Sequence, residues 1–365
     1  MALVVDLGSR STRAGWSGED VPKLSVLSSS LIDMHLSSKA NEQEDMAVDG
    51  EGEGSPSHFL ERGLVTNWDQ VEKLWGNLFS KFECSTEETP ILFADSPSTK
   101  DQDREKMAEI LFEKFSIPHY FVCNQTVLNL YSCGRTSGLM IDLGYGSTHA
   151  AAVHEGFAYP HIIERMEVGG LDIARSLESM LQDRGLPTAA IDMDRLQEEV
   201  AAVALDFVQD SQRLRAHPEE QPALTLPDGN TITLTDEHLR CGEALFQPGL
   251  VGAEGEGLDE RLMRIIRVCD SDKDGGPLRA LPQCILLCGG LSQLPGLVPR
   301  LRAEIFNHSS ASRSFYMAAL PGDDARNAAW LGGSILGSLP GFIANNFMSL
   351  GEYHEVGASA IHRKC

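Results

Sequence analysis

No block of lysine or arginine stands out anywhere in this chain, and its acids outnumber its bases 53 to 30, for a net charge of −23. A surface this acidic repels nucleic-acid phosphates, so direct and specific DNA binding is not expected. No apolar run approaches 18 residues, which predicts no transmembrane helix. The first residues enter an apolar strand almost at once and carry no basic segment, so no signal peptide is expected. The eight cysteines form no CxxC pair, and no histidines sit at zinc spacing. That is the usage of a reducing compartment, nucleus or cytosol, with thiols serving as small core residues. The pattern GxxxxGK[ST] is also missing, which excludes a P-loop.

A globular protein is nevertheless present. Hydrophobic residues make up 42% of 365 positions, enough for two domains or two halves of one large unit. Residues 2–28 read as three short strands. Residues 36–58 hold six acids and one lysine among Gly, Ser and Pro, and read as a solvated, flexible insert. Val71, Leu74, Trp75 and Leu78 then fall at helical spacing behind Asn67, a candidate N-cap. A strand ILFAD, a helix DREKMAEILFEKFSI, a strand HYFVCN and a helix ending at Gly134 follow. The second half opens on another strand and predicts helices IARSLESMLQDRG, DRLQEEVAAVALDF and RLMRIIRVCD. It also holds a hairpin turning at Asp228-Gly229, a strand CILLC leading into a helix, and a last helix NAAWLGGSILGSL. Strand triplets followed by helices, twice over, imply an α/β protein with two mixed sheets, and a cleft between two such halves is an expected ligand site.

One motif occurs in both halves. Asp6-Leu-Gly-x-x-Ser-Thr-Arg-Ala aligns with Asp142-Leu-Gly-x-x-Ser-Thr-His-Ala. A tight turn leaves backbone N–H groups pointing outward, and glycine lets an anion approach them. Two such turns suit the phosphates of one nucleotide, with Asp6 and Asp142 holding Mg²⁺ through its water shell. The hydroxyls of Ser9, Ser11 and Ser147 add polar groups. Gly289 and Gly290 stand where a strand becomes a helix, which suits close approach to a base or sugar. A single DxG hairpin is ordinarily only a turn; the repetition in register is what points to phosphate. His149 alone reads first as a packed residue, Glu198 as part of a solvated helix face, and Cys284 and Cys288 as core.

Across nearly its whole length the chain resembles the actin-related proteins of the actin superfamily. The resemblance is carried by VVDLGS, GLVTNWDQVEKLW, REKMAEILFEKFSIP, VLNLYSCGRTSG, the second hairpin, LPDGNTITL, RCGEALFQP, ILLCGGLSQLPG, WLGGSIL and EYHEVGASAIHRKC. It is nearest in character to the plant nuclear proteins of class seven. The resemblance implies a duplicated actin-like (ribonuclease H-like) fold. One lobe would comprise residues 1–134 and 335–365, the other 135–334, with ATP or ADP and Mg²⁺ or Ca²⁺ in the cleft between them. It further implies that Asp6 and Asp142 serve the metal through water, and that Gln125 orients the attacking water beside His149. Nucleotide contacts would come from Gly8, Ser9, Arg13, Gly144, Tyr145, Gly146, Gln197, Glu198, Gly289, Gly290 and Arg326.

Several residues depart from the family pattern. Arg10 replaces a glycine of the first turn, Tyr145 an aspartate of the second, and Leu7 and Leu143 stand at polar positions. Arg13 keeps the charge of a phosphate lysine but not its geometry. Arg10 either fills the γ-phosphate space or pairs with it. Because phosphoryl transfer depends on positioning, the expectation is nucleotide binding with at most weak ATPase activity. The actin-type loop is missing near residues 30–58 and the plug region VGAEGEGLDERL is glycine-rich and acidic, so a non-polymerising monomer is expected. The resemblance implies a nuclear chromatin-remodelling subunit, also found in the cytoplasm, that takes an amphipathic helix of a remodelling ATPase against Tyr131, Leu336, Leu339 and Phe342. Actin, another actin-related protein or basic histones are further expected partners. The alternative is a cytoskeletal relative in cytoplasmic filaments or motor complexes.

Overall fold

The computed structural model describes residues 1–28, 59–186, 188–189, 191–225, 231–272, 276–308 and 314–364. The acidic insert of 36–58 and the Asp228-Gly229 turn lie outside the described residues. The chain divides into two compact units, one of Met1–Gly134 with Asn327–Cys365, the other of Arg135–Arg326.

In the first unit, β1 (Leu3–Leu7), β2 (Ser11–Trp16) and β3 (Leu24–Leu27) form an antiparallel meander. Helix α1 (Trp68–Phe82) starts where expected, because the Asn67 side chain accepts a hydrogen bond from the Gln70 N–H. Its buried face carries Val71, Leu74, Trp75 and Leu78, each stabilising the fold by about 1.5–3 kcal/mol through burial. Strand β4 (Ile91–Asp95) runs parallel to β1. Helix α2 (Asp101–Glu109) passes into one π-helical turn, Ile110–Lys114, that buries Ile110, Leu111 and Phe112. Strand β5 (His119–Asn124) pairs parallel with β4 and leads directly into α3 (Gln125–Ser132). The short strand Met348–Ser349 closes the far edge of this six-stranded sheet.

The second unit repeats that plan. Strands β6 (Gly138–Leu143) and β7 (Thr148–His154) form the antiparallel hairpin, extended by Phe157–Ala158 and Glu164–Met166. Helices α4 (Gly170–Asp183), α5 (Met193–Val200) and α6 (Leu258–Asp270) follow. Strand β8 (Cys284–Cys288) pairs parallel with β6, helix α7 (Leu297–His308) follows it, and β9 (Tyr316–Ala319) pairs parallel with β8. Helix α8 (Gly322–Ser338) closes the series, and the division between units falls within it at Arg326/Asn327 rather than after residue 334. Both units therefore place an antiparallel hairpin beside two parallel strands, the duplicated α/β plan.

Two helix limits differ from expectation. DRLQEEVAAVALDF does not run through as one helix: α5 stops at Val200, and a separate helix covers Phe207–Ala216. Between them the Ala202 and Val203 N–H groups bond the His238 and Pro295 carbonyls, so tertiary partners replace the helical ones. Helix α6 starts at Leu258, three residues early, since Asp259 and Glu260 suit its first turn. The seven cysteines among the described residues are all free thiols, with Cys288 buried and Cys284 partly so.

Candidate functional site

In the first unit, three parallel strands bring Asp6, Asp95 and Asn124 to their carboxyl ends, where open α/β sheets bind ligands. The β1–β2 turn is closed by the Gly8 N–H donating to the Ser11 carbonyl at 3.1 Å. A Cβ at Gly8 would stand 2.7 Å from that oxygen, so only glycine fits. Asp6 is buried with 5% exposure. Its Oδ1 accepts from the Gln125 amide at 2.9 Å and its Oδ2 from Arg13 Nη1 at 3.4 Å. Arg13 is Asp6's cross-strand partner, and its Nε donates to Asn327 Oδ1 at 2.9 Å. Burial raises the Asp6 pKa, while Arg13 and Gln125 pull it down. The Ser9 hydroxyl accepts from the Gly63 N–H at 3.0 Å, and the Arg10 carbonyl from the Ser28 N–H at 2.9 Å.

The second unit builds the same turn on different supports. The Gly144 N–H donates to the Ser147 carbonyl at 3.1 Å. The turn is seated on the start of α4, whose Gly170 and Leu171 N–H groups donate to the Gly144 and Tyr145 carbonyls at 3.1 and 2.9 Å. Contact is so close that a Cβ at Gly169 would lie 2.3 Å from the Tyr145 carbonyl oxygen. The Tyr145 hydroxyl reaches both carboxylate oxygens of Asp194 on α5, each at 3.1 Å. The Tyr145 ring and the Gln197 side chain both approach Gly170. Asp142 pairs across the strands with His149, which is 4% exposed. Burial, with Arg165 adding, drives the His149 pKa down to about 3, so it is neutral at physiological pH.

The parallel pairing of β8 with β6 sets Cys288 opposite Asp142 and brings Gly289 beside it. Gly289 has φ +83°, and a Cβ there would meet the Leu143 carbonyl oxygen at 2.3 Å and Asp142 Oδ1 at 2.9 Å. Its N–H donates to the Ala325 carbonyl at 2.8 Å, whereas Gly290 borders open space. Glu198 does not stand as a plain solvated group: it pairs with Arg326 at 3.1 Å, joining two of the expected nucleotide contacts.

Within the first unit, then, Asp6, Gly8, Arg13 and Gln125 converge. Within the second, Asp142, Gly144, Tyr145, Gln197 and Gly289 do. Gln125 and His149 belong to different units. Sequence reasoning missed Asn327, Asp194 and the Gly169-Gly170 seat. It also missed Asp95, which is buried, ion-paired to Arg104 at 2.7 Å and raised in pKa by burial. Only Asp95 carried a signal, as the acid closing the apolar run ILFAD.

A family model described as Actin matches residues 1–195 and again 192–365. The chain belongs to the actin family. That fold family generally binds a nucleotide and a divalent cation, and the residues here fit such a group. Asp6 is a buried carboxylate that gains from added positive charge, and the space beside Gly290 is open. The Asp6 oxygens retain acceptor capacity beyond Gln125 and Arg13.

Of the expected partner residues, Tyr131, Leu336 and Phe342 lie in one apolar cluster of the first unit with Phe121 and Phe347. Leu339 stands apart in character, 48% exposed. Among the described residues no helix is long and apolar enough to cross a membrane.

Proposed function

We propose that this actin-family chain binds ATP or ADP with a divalent cation, hydrolyses it slowly or not at all, and serves as a nuclear structural subunit of a chromatin-remodelling complex. The observation that carries the nucleotide reading is the matched pair of turns. Each is closed by a glycine N–H at 3.1 Å from a serine carbonyl and follows an aspartate at a strand end.

A bound cation would neutralise phosphate charge. Everything else falls to the chain's own groups. In each unit the turn glycine, Gly8 or Gly144, lets an anion approach the turn backbone, and the aspartate before it, Asp6 or Asp142, would attract a cation; in the second unit Gly289 and Gly290 would border a nucleoside. Slow turnover has two supports. The Gln125 amide donates to Asp6 at 2.9 Å, which ties its orientation to that carboxylate and limits how freely it turns toward an attacking water. His149, neutral down to about pH 3, cannot act as an acid at physiological pH. Purified protein is expected to retain or bind nucleotide and to hydrolyse ATP far more slowly than polymerising actin. Turnover at actin's rate would overturn the second half of the reading, and absence of binding the first.

The partner reading rests on Tyr131 and Phe342, partly buried at the edge of the core cluster that holds the buried Leu336, and on the exposed Leu339; apolar groups left partly open suit an amphipathic helix. Immunoprecipitation from nuclear extract is expected to recover a remodelling ATPase. Recovery of cytoplasmic filament or motor components instead would favour the cytoskeletal alternative. Sedimentation with ATP and salt is expected to leave the protein in solution as a monomer.

A further inference from the structure

Two helices of the second unit bring three side chains of metal-ligand type together away from either turn. Asp259 lies in the first turn of α6, and Glu304 and His308 are one turn apart on α7. Their ligand atoms all lie within 4.8 Å of one another. Asp259 and Glu304 are partly buried, and His308 is exposed. Independently, Asp259 Oδ1 is buried and accepts no hydrogen bond among the described residues, an arrangement that costs about 1–3 kcal/mol unless a ligand satisfies the oxygen.

Asp259 feels the charge of Arg300, but the hydrogen bonds of that guanidinium go elsewhere. Its Nη1 and Nη2 donate to the fully buried Glu243 at 3.1 and 3.3 Å, and its Nε to Glu304 Oε1 at 2.6 Å. That last bond fixes the Glu304 carboxylate and leaves Oε2 turned toward His308 Nε2, 3.9 Å away. An outer group orienting a ligand in this manner is a regular feature of metal sites.

We propose that Asp259, Glu304 and His308 form a binding site for a divalent transition-metal ion of the Zn²⁺ class. An imidazole with two carboxylates favours such an ion over Mg²⁺ or Ca²⁺, which prefer oxygen ligands alone. Bonds of about 2.0–2.2 Å require the ligand atoms to close up by roughly an ångström, and the exposed His308 at its helix end can swing to do so. Three protein ligands leave a position for water. The site shares no residue with the two turns and does not depend on the nucleotide reading.

The test uses the full-length protein, with thiols kept reduced and excess Mg²⁺ present to occupy all-oxygen sites. It is titrated with Co²⁺ by visible absorption and with Zn²⁺ by calorimetry. One equivalent is expected to bind, with cobalt bands of oxygen and nitrogen ligation and no thiolate charge transfer. His308→Ala and Asp259→Asn should each weaken binding by about tenfold or more. His308 is exposed, so its replacement leaves the fold intact and decides the matter even if Asp259→Asn unfolds. Absence of binding, thiolate bands, or unchanged affinity in His308→Ala would overturn the proposal.

Discussion

The two glycine-closed turns share a backbone and differ in how they are held. In the first, a charged strand partner, Arg13, neutralises Asp6 and is itself anchored by Asn327. In the second, the equivalent partner is His149, buried and neutral, and the turn is instead braced from outside by the start of α4 and by the Tyr145–Asp194 bond. Tyr145 occupies the position of Ser9, and Gly146 that of Arg10. The backbone solution is thus dictated by the glycine and the closing serine carbonyl, while the surrounding side chains are free to secure it by charge or by packing.

The largest effect should come from breaking the ionic lock. Arg13→Met leaves Asp6 buried without its cation and is expected to cost about 3–5 kcal/mol in urea unfolding. Should His149→Gln, at the matching position, cost as much, the distinction between the two turns would fail. Next, Gly169→Ala forces a Cβ against the Tyr145 backbone and should destabilise by about 1–3 kcal/mol. Gly76→Ala, a helical glycine with nothing within 4 Å of the added carbon, should instead stabilise by up to about 1 kcal/mol. Removing the brace alone, Tyr145→Phe should lose about 1 kcal/mol and speed nucleotide release with little change to the first turn.

The effect smallest at neutral pH concerns His149. Its unfolded form takes a proton near the ordinary value of 6.5, the folded form only at about 3. Stability therefore falls as pH drops below 6.5, by up to about 1.4 kcal/mol per pH unit, and does not change above it. His149→Gln should flatten the acid limb by one proton. Asp6 and Asp95, with pKa values raised by burial, contribute with the opposite sign just above their ordinary range, so the difference between wild type and variant isolates the histidine.

Local signals in the sequence reported local structure faithfully. The Asn67 cap, the helical spacing of Val71, Leu74, Trp75 and Leu78, and the repeated turn all lie within short stretches whose own hydrogen bonds decide their form. The break after Val200 was not legible, because the groups that compete for its backbone, His238 and Pro295, lie far along the chain. Nor were Asn327 and Asp194 as anchors of Arg13 and Tyr145, separated from them by 314 and 49 positions. Hydrophobic periodicity carries no record of such polar pairings. The aspartates, glycines and Gln125 could be named from the motif, but the bond that holds Gln125 to Asp6 emerges only from the fold.

The central claim is that the glycine-closed turn of each unit is built to take phosphate. Calorimetric titration of the full chain with Mg²⁺-ATP should show binding that weakens when Gly8 or Gly144 is replaced by valine in protein that remains folded. Absence of binding, or affinity indifferent to both replacements, would contradict it.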